Sequence, residues 1–532
     1  MIETIGGIIA SVTFSCLFCL GTVKMLGAMQ QGGYKNKNFS RWFDAKNNWC
    51  FNRLLIFSVC ITLTTAIVAL CFSFLGAKWA SLISAIPFLL FSVLYIYSDK
   101  KYALKVPVNK TGRFYRLFSV YLLITACCSY AFIAVLGFLA KVNGSELYRV
   151  VAYVPYGVFP MLLPLFLCIA NFITGIFENA RNKKFVKRAG QVLDETKILR
   201  VGIVGSYGKT SVKNILCVLL SEKYSVVQTP ESYNTQIGIA KTVFSEEFLK
   251  KEVFIAEMGA RKEGDIAELC KLVKPDYAIF TGICEQHLAT FGSLRQVWNE
   301  KSEILKCRAK KVVCGESLRE RILSQKERIS KIVFAESAQE LCLAVTGTKF
   351  RLNCQGKTLE IDTKLLGRAN AENISLAVAL ATEMGLTVEE IERGLQKLQP
   401  VPHRLQCIIG GGAYILDDGY NCNPRGAENA LEVLSSHAGR KCIVTPGIVE
   451  CGVLEEKING ELGEKIAKCA PDKVIFVGET LVGAVSAGYK KAGGDTEKCK
   501  TVPTLQKAQA LLAEWVCEGD AILFLNDLPD VY

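Results

Sequence analysis

The chain has 532 residues, half of them hydrophobic, and a mean hydropathy of +0.27. That is too long for one compact domain, too apolar for an ordinary soluble protein and not apolar enough for one lying wholly in a membrane, so about three units are expected. The net charge of +13 does not mark a nucleic-acid binder: residues 1–200 hold 22 Lys and Arg against 7 Asp and Glu, the remainder 41 against 43, and the basicity belongs to the apolar half.

Five stretches are long enough to cross a bilayer as helices, at roughly 2–23, 54–75, 79–97, 117–139 and 147–173. The first lacks a basic leader and a small-residue cleavage site, and reads as a retained anchor. Basic residues fall in alternate loops. Lys24, Lys35, Lys37, Arg41, Lys46 and Arg53 lie in one, and Lys100, Lys101, Lys105, Lys110, Arg113 and Arg116 in the next but one. Arg181, Lys183, Lys184, Lys187 and Arg188 follow the fifth span. The positive-inside rule then places the N-terminus outside and everything after 175 in the cytoplasm of a bacterial cell. Pro155, Pro160 and Pro164 make the last span the one expected to kink, and 176–198 reads as a basic juxtamembrane linker over lipid headgroups. The 22 cysteines are scattered, and the one Cys-x-x-Cys, Cys16 with Cys19, sits in an apolar run; neither a disulfide framework nor a zinc ribbon is expected.

From Ile198 the pattern changes. "ILRVGIVG" is a short apolar run ending in glycine, followed by a helical pattern from Ser211. Strand, glycine turn and helix present backbone N–H groups and a helix N-terminus to a phosphate. Gly205 and Gly208 permit the turn, Lys209 reaches the terminal phosphates and the Thr210 hydroxyl suits Mg²⁺, with Ser206 and Ser211 completing the loop. Ile203 stands where the strict pattern has its first glycine. Further on, "VFIAE" ends in Glu257, a carboxylate at a strand's carboxyl end, where open α/β sheets hold ligands.

"GSYGKT" resembles the phosphate loop of the Mur ligases, the ATP-dependent peptide ligases of cell-wall synthesis. "ESYNTQIG", "FIAEMGARKEGDI", "QHLATFGS", "VWNEKSEIL", "LLGRANAENISLAVALA", "VPHRLQ" and "LDDGYNCNP" resemble later segments of the family in the same order. The likeness covers about 199–532, and "DDGYNCNP" with "HLATFGS" points to the members that add D-alanyl-D-alanine. The resemblance implies ATP and two Mg²⁺ as cofactors. It places Asn234 near the phosphates and acceptor, Glu257 and His287 on metal, and Lys301, mid-helix and carbamylated, on a second Mg²⁺. Asn370 would contact adenine, and Arg404 and Asp418 would be lent to the nucleotide by the third domain. Ala369 replaces a family histidine and His403 a family glycine. The catalytic set implied is Lys209, Lys301, His287 and Asn234.

Family members begin with a soluble domain that grips a uridine diphosphate. Here apolar spans occupy that place, and a lysine-glycine-serine loop near the dipeptide is missing from the tail. The expected architecture is an α-helical membrane domain (1–175), the linker 176–198, a parallel-sheet α/β ATPase domain (199–400) and a smaller Rossmann-like α/β domain (401–532), supported by "CIVTPGIV", "KVIFVG" and "DAILFLN". The expected activity is amide-bond formation through an acyl-phosphate at the cytoplasmic membrane face. The partners are a cell-wall precursor, lipid-linked or nucleotide-linked, an amino-acid or dipeptide acceptor, and membrane lipids, with no nucleic acid. Two alternatives stay open: a ligase of the same fold adding glutamate or another amine to a different polymer, and a nucleotide-gated membrane anchor or transporter.

Overall fold

The computed structural model describes residues 2–44, 48–72, 77–99, 107–142, 154–231, 233–285, 291–324, 331–420, 422–449, 451–478 and 480–525. His287, residues 147–153 of the fifth expected span, and the loop cations Lys46, Lys100, Lys101 and Lys105 lie outside them. The chain divides into two compact units, which part between Asn182 and Lys183.

The first unit is helical: α1 (Ile2–Gly21), α2 (Val23–Gln31), α3 (Asn36–Phe43), α4 (Trp49–Cys71), α5 (Ala77–Asp99), α6 (Gly112–Val142) and α7 (Leu163–Glu195). Among the described residues, three stretches are long and apolar enough to span a membrane: Trp49–Cys71, Gly112–Leu139 and Val154–Glu195. A fourth results if Ser11–Gly21 and Val23–Gln31, bent by 51° at Thr22, count as one span; the described apolar part of α5 is the shorter Ile86–Ser98. Among the described residues the expected count of five is not confirmed. The proline-rich stretch departs from α-helix as its missing N–H groups require: Val154–Leu162 is a 3₁₀-helix leading into α7, which runs on without a break through the basic segment. Leu63, Ile67, Leu123, Phe138 and Phe172 face outward, whereas Thr65, Ser92, Thr125 and Ser129 are buried, the inverse of a water-facing bundle.

The second unit contains two sheets of six strands. The first joins β1 (Leu199–Val204), β2 (Val226–Gln228), β3 (Val253–Glu257), β4 (Tyr277–Phe280), β5 (Lys311–Cys314) and β6 (Ile332–Phe334) in the order β2-β3-β1-β4-β5-β6, all parallel. Side chains alternate across it. Val201, Ile203, Val253 and Ile255 pack beneath α8 (Lys209–Leu220) and α12 (Arg368–Glu383). Val204, Phe254 and Ala256 meet α9 (Gln236–Val243), α10 (Asp265–Val273) and α11 (Leu294–Lys301) on the other face. Strand order reverses at β1, so the carboxyl ends of β1, β3 and β4 bound the crevice where such sheets hold ligands.

One element was not foreseen. Residues 339–363 form an antiparallel sheet, β7 (Gln339–Ala344), β8 (Gly347–Cys354) and β9 (Lys357–Thr363), whose alternation buries Phe350, Leu352, Leu359 and Ile361 against the first core. The second large sheet takes β10 (Gln406–Gly410), β11 (Ala413–Asp418), β12 (Lys441–Thr445), β13 (Lys473–Val477), β14 (Cys499–Val502) and β15 (Ala521–Leu525) in the order β10-β11-β15-β12-β13-β14. It is parallel apart from the β10–β11 hairpin. Its β12, β13 and β15 are the three apolar runs read from the sequence.

Candidate functional site

The loop from β1 into α8 requires its glycines. Gly205 approaches so closely that a Cβ would collide with the Thr281 hydroxyl, and Gly208, left-handed at φ +74°, would collide with the Asn373 amide. Gly208 caps α8, so Lys209, Thr210 and Ser211 form its first turn and their N–H groups face the crevice. The loop is anchored by Ser206 N–H donating to the Gly282 carbonyl at 2.8 Å, while the buried Ser206 hydroxyl has no partner among the described residues.

Two ammonium groups converge on one acceptor. Lys209 Nζ donates to the Gly205 carbonyl at 2.9 Å, and Lys301 Nζ donates to the same oxygen at 2.8 Å. Burial pushes both amines below the usual lysine range. Lys301 falls well below it, and the neighbouring Lys209 charge adds to the effect. Lys301 is not mid-helix: it is the last residue of α11, which Ser302 caps, and it reaches inward from there. Opposite stands Glu257, buried at the end of β3. Its carboxylate accepts the Thr210 hydroxyl at 2.9 Å and the Asn234 amide at 3.2 Å.

Lys213, which the motif reading passed over, completes this group. It is fully buried one helical turn beyond Lys209; its ammonium lies 3.4 Å from Glu257 and donates to the carbonyls of Thr229, at 2.8 Å, and Glu231. Its signal was present: a single lysine interrupting the apolar face of "KTSVKNILCVLL".

These side chains border a cavity of about 380 Å³, whose wall includes Ser206, Lys209, Asn234, Glu257, Lys301 and, from the second sheet domain, Arg404. Arg404 lies over the Tyr420 ring, 4.4 Å from its centroid, and donates to the Tyr420 carbonyl at 3.3 Å. His403 takes a left-handed φ of +59°, a conformation suited to the glycine it replaces, and pairs with Asp417 at 2.7 Å. Asp418 accepts the Leu405 N–H at 3.1 Å; burial raises its carboxyl to about 7, against the opposing pull of Arg404. Asn370 does not reach this cavity: it is buried in α12, where its amide donates to the Leu366 carbonyl and accepts from Asn373.

A second opening of about 870 Å³ separates α12 from α13 (Pro424–Ser435), where Ala369 stands. Arg425 crosses it. Its guanidinium binds both Glu372 oxygens, at 2.9 and 2.7 Å, and stacks 4.5 Å from the Tyr207 ring of the phosphate loop. The motif reading did not single out Tyr207, Glu372 or Arg425.

Among the described residues no group of three or more His, Cys, Asp and Glu could hold a metal ion. Glu257 and the Thr210 hydroxyl are hard oxygen donors of the kind Mg²⁺ accepts alongside retained waters, so the donor set fits one such ion. The amine of Lys301 as it stands is not a ligand.

The chain matches the Mur ligase middle domain over residues 203–381 and the Mur ligase, glutamate ligase domain over 403–526. The UDP-N-acetylmuramoyl-tripeptide–D-alanyl-D-alanine ligase of Bacillus subtilis is 28% identical over 337 residues, 61% of this chain and 72% of that one. The enzyme of the same name from Treponema pallidum is 31% identical over 48% of this chain and 56% of its own. The structure of MurF ligase from Thermotoga maritima in complex with ADP aligns with a TM-score of 0.58 at 25% identity, covering 65% of this chain and 80% of that one. The helical region is additional to this core. By its middle and C-terminal domains the chain belongs to the Mur ligase family.

Proposed function

We propose that the protein is an ATP-dependent amide-bond ligase of cell-wall precursor synthesis, similar to MurF, that works at the cytoplasmic face of the membrane. The observation that carries this reading is the convergence of Lys209, Lys301, Thr210, Asn234 and Glu257 on one cavity at the strand ends, closed on its other side by Arg404. A precursor carboxylate attacks the γ-phosphorus of ATP, and ADP leaves. The acceptor amine then attacks the acyl carbon of the resulting acyl-phosphate, losing a proton as phosphate departs.

Lys209 and the N–H groups of α8 hold the transferring phosphate, Asn234 orients the carboxylate, and Arg404 draws the two domains together on the nucleotide. Glu257 and Thr210 would hold Mg²⁺, which when bound supplies positive charge beside the phosphate oxygens; His287 is assigned to metal on the family likeness alone. Asn370 and Asp418 are assigned to the nucleotide on the same basis. Carbamylation of Lys301 would turn a buried ammonium crowded by Lys209 into an anion attracted by it, and would provide the ligand for a second Mg²⁺.

Multi-pass insertion is supported by the apolar outer face of the helical unit and by the alternation of basic loops. The amine is taken as D-alanyl-D-alanine or a related dipeptide, following the relatives' names.

The test is the full chain in lipid nanodiscs with ATP, Mg²⁺, D-alanyl-D-alanine and either a nucleotide-linked or a lipid-linked precursor, read by mass spectrometry. Amide product with equimolar ADP is expected. Lys301→Ala should cut the rate about a hundredfold or more, the usual effect of removing transition-state electrostatics, while ATP still binds. ATP turnover with no amide formed from any precursor, or undiminished product from K301A, would refute the reading.

A further inference from the structure

The helical unit contains a cationic cluster that it only partly neutralises. Glu178, buried on α7, accepts from Arg116 Nε at 2.5 Å and from Arg181 Nη2 at 2.7 Å. A third guanidinium, Arg113, lies over the Tyr34 ring 3.8 Å from its centroid, within electrostatic range of Glu178, Arg116 and Arg181. Among the described residues, three guanidinium groups against one carboxylate leave a net positive charge where α6 begins.

The cluster is built rather than incidental. The Gln30 side chain, from α2, donates to the Asn109 carbonyl at 2.8 Å and accepts the Asn109 N–H at 3.0 Å, fixing the approach to α6. Asn171 on α7 donates to the Tyr34 carbonyl at 2.9 Å and to Asn36 Oδ1 at 2.7 Å. Those bonds hold Tyr34 at φ +58°, a left-handed conformation costly for an aromatic residue. The Tyr34 hydroxyl is buried and finds no partner among the described residues. Four segments of chain thus converge here, with Arg113 over the Tyr34 ring and Arg116 and Arg181 on Glu178.

Guanidinium forks bind phosphate oxygens two at a time, and basic pockets between membrane helices on the cytoplasmic side take anionic headgroups. The surroundings select between a lipid and a soluble phosphate. Ile173, Ile176 and Phe177, within two turns of Glu178 on α7, are exposed, as is Tyr115 between Arg113 and Arg116. Apolar side chains exposed beside an anion site fit a hydrocarbon tail leaving its headgroup, and have no use for a nucleoside.

We propose that Arg113, Arg116 and Arg181 bind the diphosphate headgroup of a polyprenyl-linked precursor. The diphosphate chemistry stands on the cluster; its identity as this ligase's substrate rests on the proposed function. The site does the work of the uridine-diphosphate grip that the family's soluble first domain performs.

The experiment measures binding of farnesyl diphosphate, farnesol and UDP to the full chain in nanodiscs of neutral lipid, with ATP present to fill the nucleotide site. Farnesyl diphosphate should bind at least about tenfold more tightly than farnesol. The Arg113→Gln/Arg181→Gln variant should lose about tenfold or more, and R113K/R181K should recover part of it. Equal affinity for farnesol and farnesyl diphosphate, unchanged affinity in the glutamine variant, or displacement by UDP at matching concentration would overturn the assignment. Headgroup binding without ligase activity would refute the proposed function and leave this site standing; ATP-dependent product without headgroup binding would do the reverse.

Discussion

Replacing Lys213 with methionine tests the electrostatics of the site more directly than any motif residue. The substitution keeps the volume of the side chain and removes its charge. At 3.4 Å the attraction between the ammonium and Glu257 is about 5 kcal/mol for an effective dielectric constant of 20. Burial offsets much of that, which is why the Lys213 amine is pushed below its usual range despite the carboxylate beside it. The net worth of the pair is therefore small, but the variant leaves the carboxylate behind, and breaking a buried pair one-sidedly costs about 3–5 kcal/mol. The Thr210 hydroxyl and Asn234 amide still solvate Glu257, while the carbonyls of Thr229 and Glu231 lose a donor worth about 1 kcal/mol each. A loss of about 3 kcal/mol results, seen as a fall of several degrees in the Tm of the full chain in detergent. Because a divalent ion at Glu257 replaces the missing charge, added Mg²⁺ should raise the Tm of K213M more than that of the wild type. A wild-type Tm with a wild-type Mg²⁺ response would show that Lys213 is not the counter-charge of Glu257.

Lys209→Ala should abolish ATP-dependent product while the protein still inserts and folds, as judged by yield and Tm; product at the wild-type rate would remove the phosphate loop from the mechanism. Asp418 gives a pH signature. Its folded carboxyl holds a proton up to about 7 whereas the unfolded chain releases it near 3.8, so the native state binds the extra proton between those values and loses stability as pH rises through them. Asp418→Asn should remove that decline, and parallel Tm profiles for variant and wild type from pH 4 to 7 would refute it. A reporter fused after Tyr532 should be active only on the cytoplasmic side, and activity outside the cell would reverse the topology.

What the sequence disclosed, it disclosed through backbone geometry. Gly205, Gly208 and the acidic end of "VFIAE" mark a strand-loop-helix corner, so Thr210 and Glu257 were each legible as oxygen donors there, although their 2.9 Å contact was not. Residues whose roles depend on distant partners were silent. Arg425 and Tyr207 are 218 positions apart, and nothing in either neighbourhood announces that a guanidinium will lie 4.5 Å from that ring. Lys301 was placed in the right helix at the wrong position, because Ser302 ends the helix by capping rather than by any break in periodicity. The sheet at 339–363 alternates plainly in "KFRLNC" and "TLEID", but it was overlooked inside a region read as uniformly parallel. The membrane count suffers from a different ambiguity: hydropathy finds apolar stretches, not the bend at Thr22 or the 3₁₀ turn before Leu163.

The charges around the phosphate loop are arranged against the stability of the protein alone. Lys209, Lys213 and Lys301 are all desolvated, Arg404 faces the same cavity, and Glu257 is the buried carboxylate that answers them. Lys209 and Lys301 even share one carbonyl oxygen, and beside the effect of burial the Lys209 charge weakens the hold of Lys301 on its proton. A site selected for the resting protein would separate these groups or pair each with an acid. Held in place by α8, β3 and α11, they instead present uncompensated positive charge to a bound polyanion, and the repulsion relieved on binding adds to the attraction gained. The arginines gathered around Glu178 repeat the same imbalance in the helical unit, with guanidinium forks in place of ammonium groups. In both places the described cations outnumber the carboxylates that meet them, which is the physical ground for proposing the phosphates of a nucleotide at one site and those of a lipid at the other.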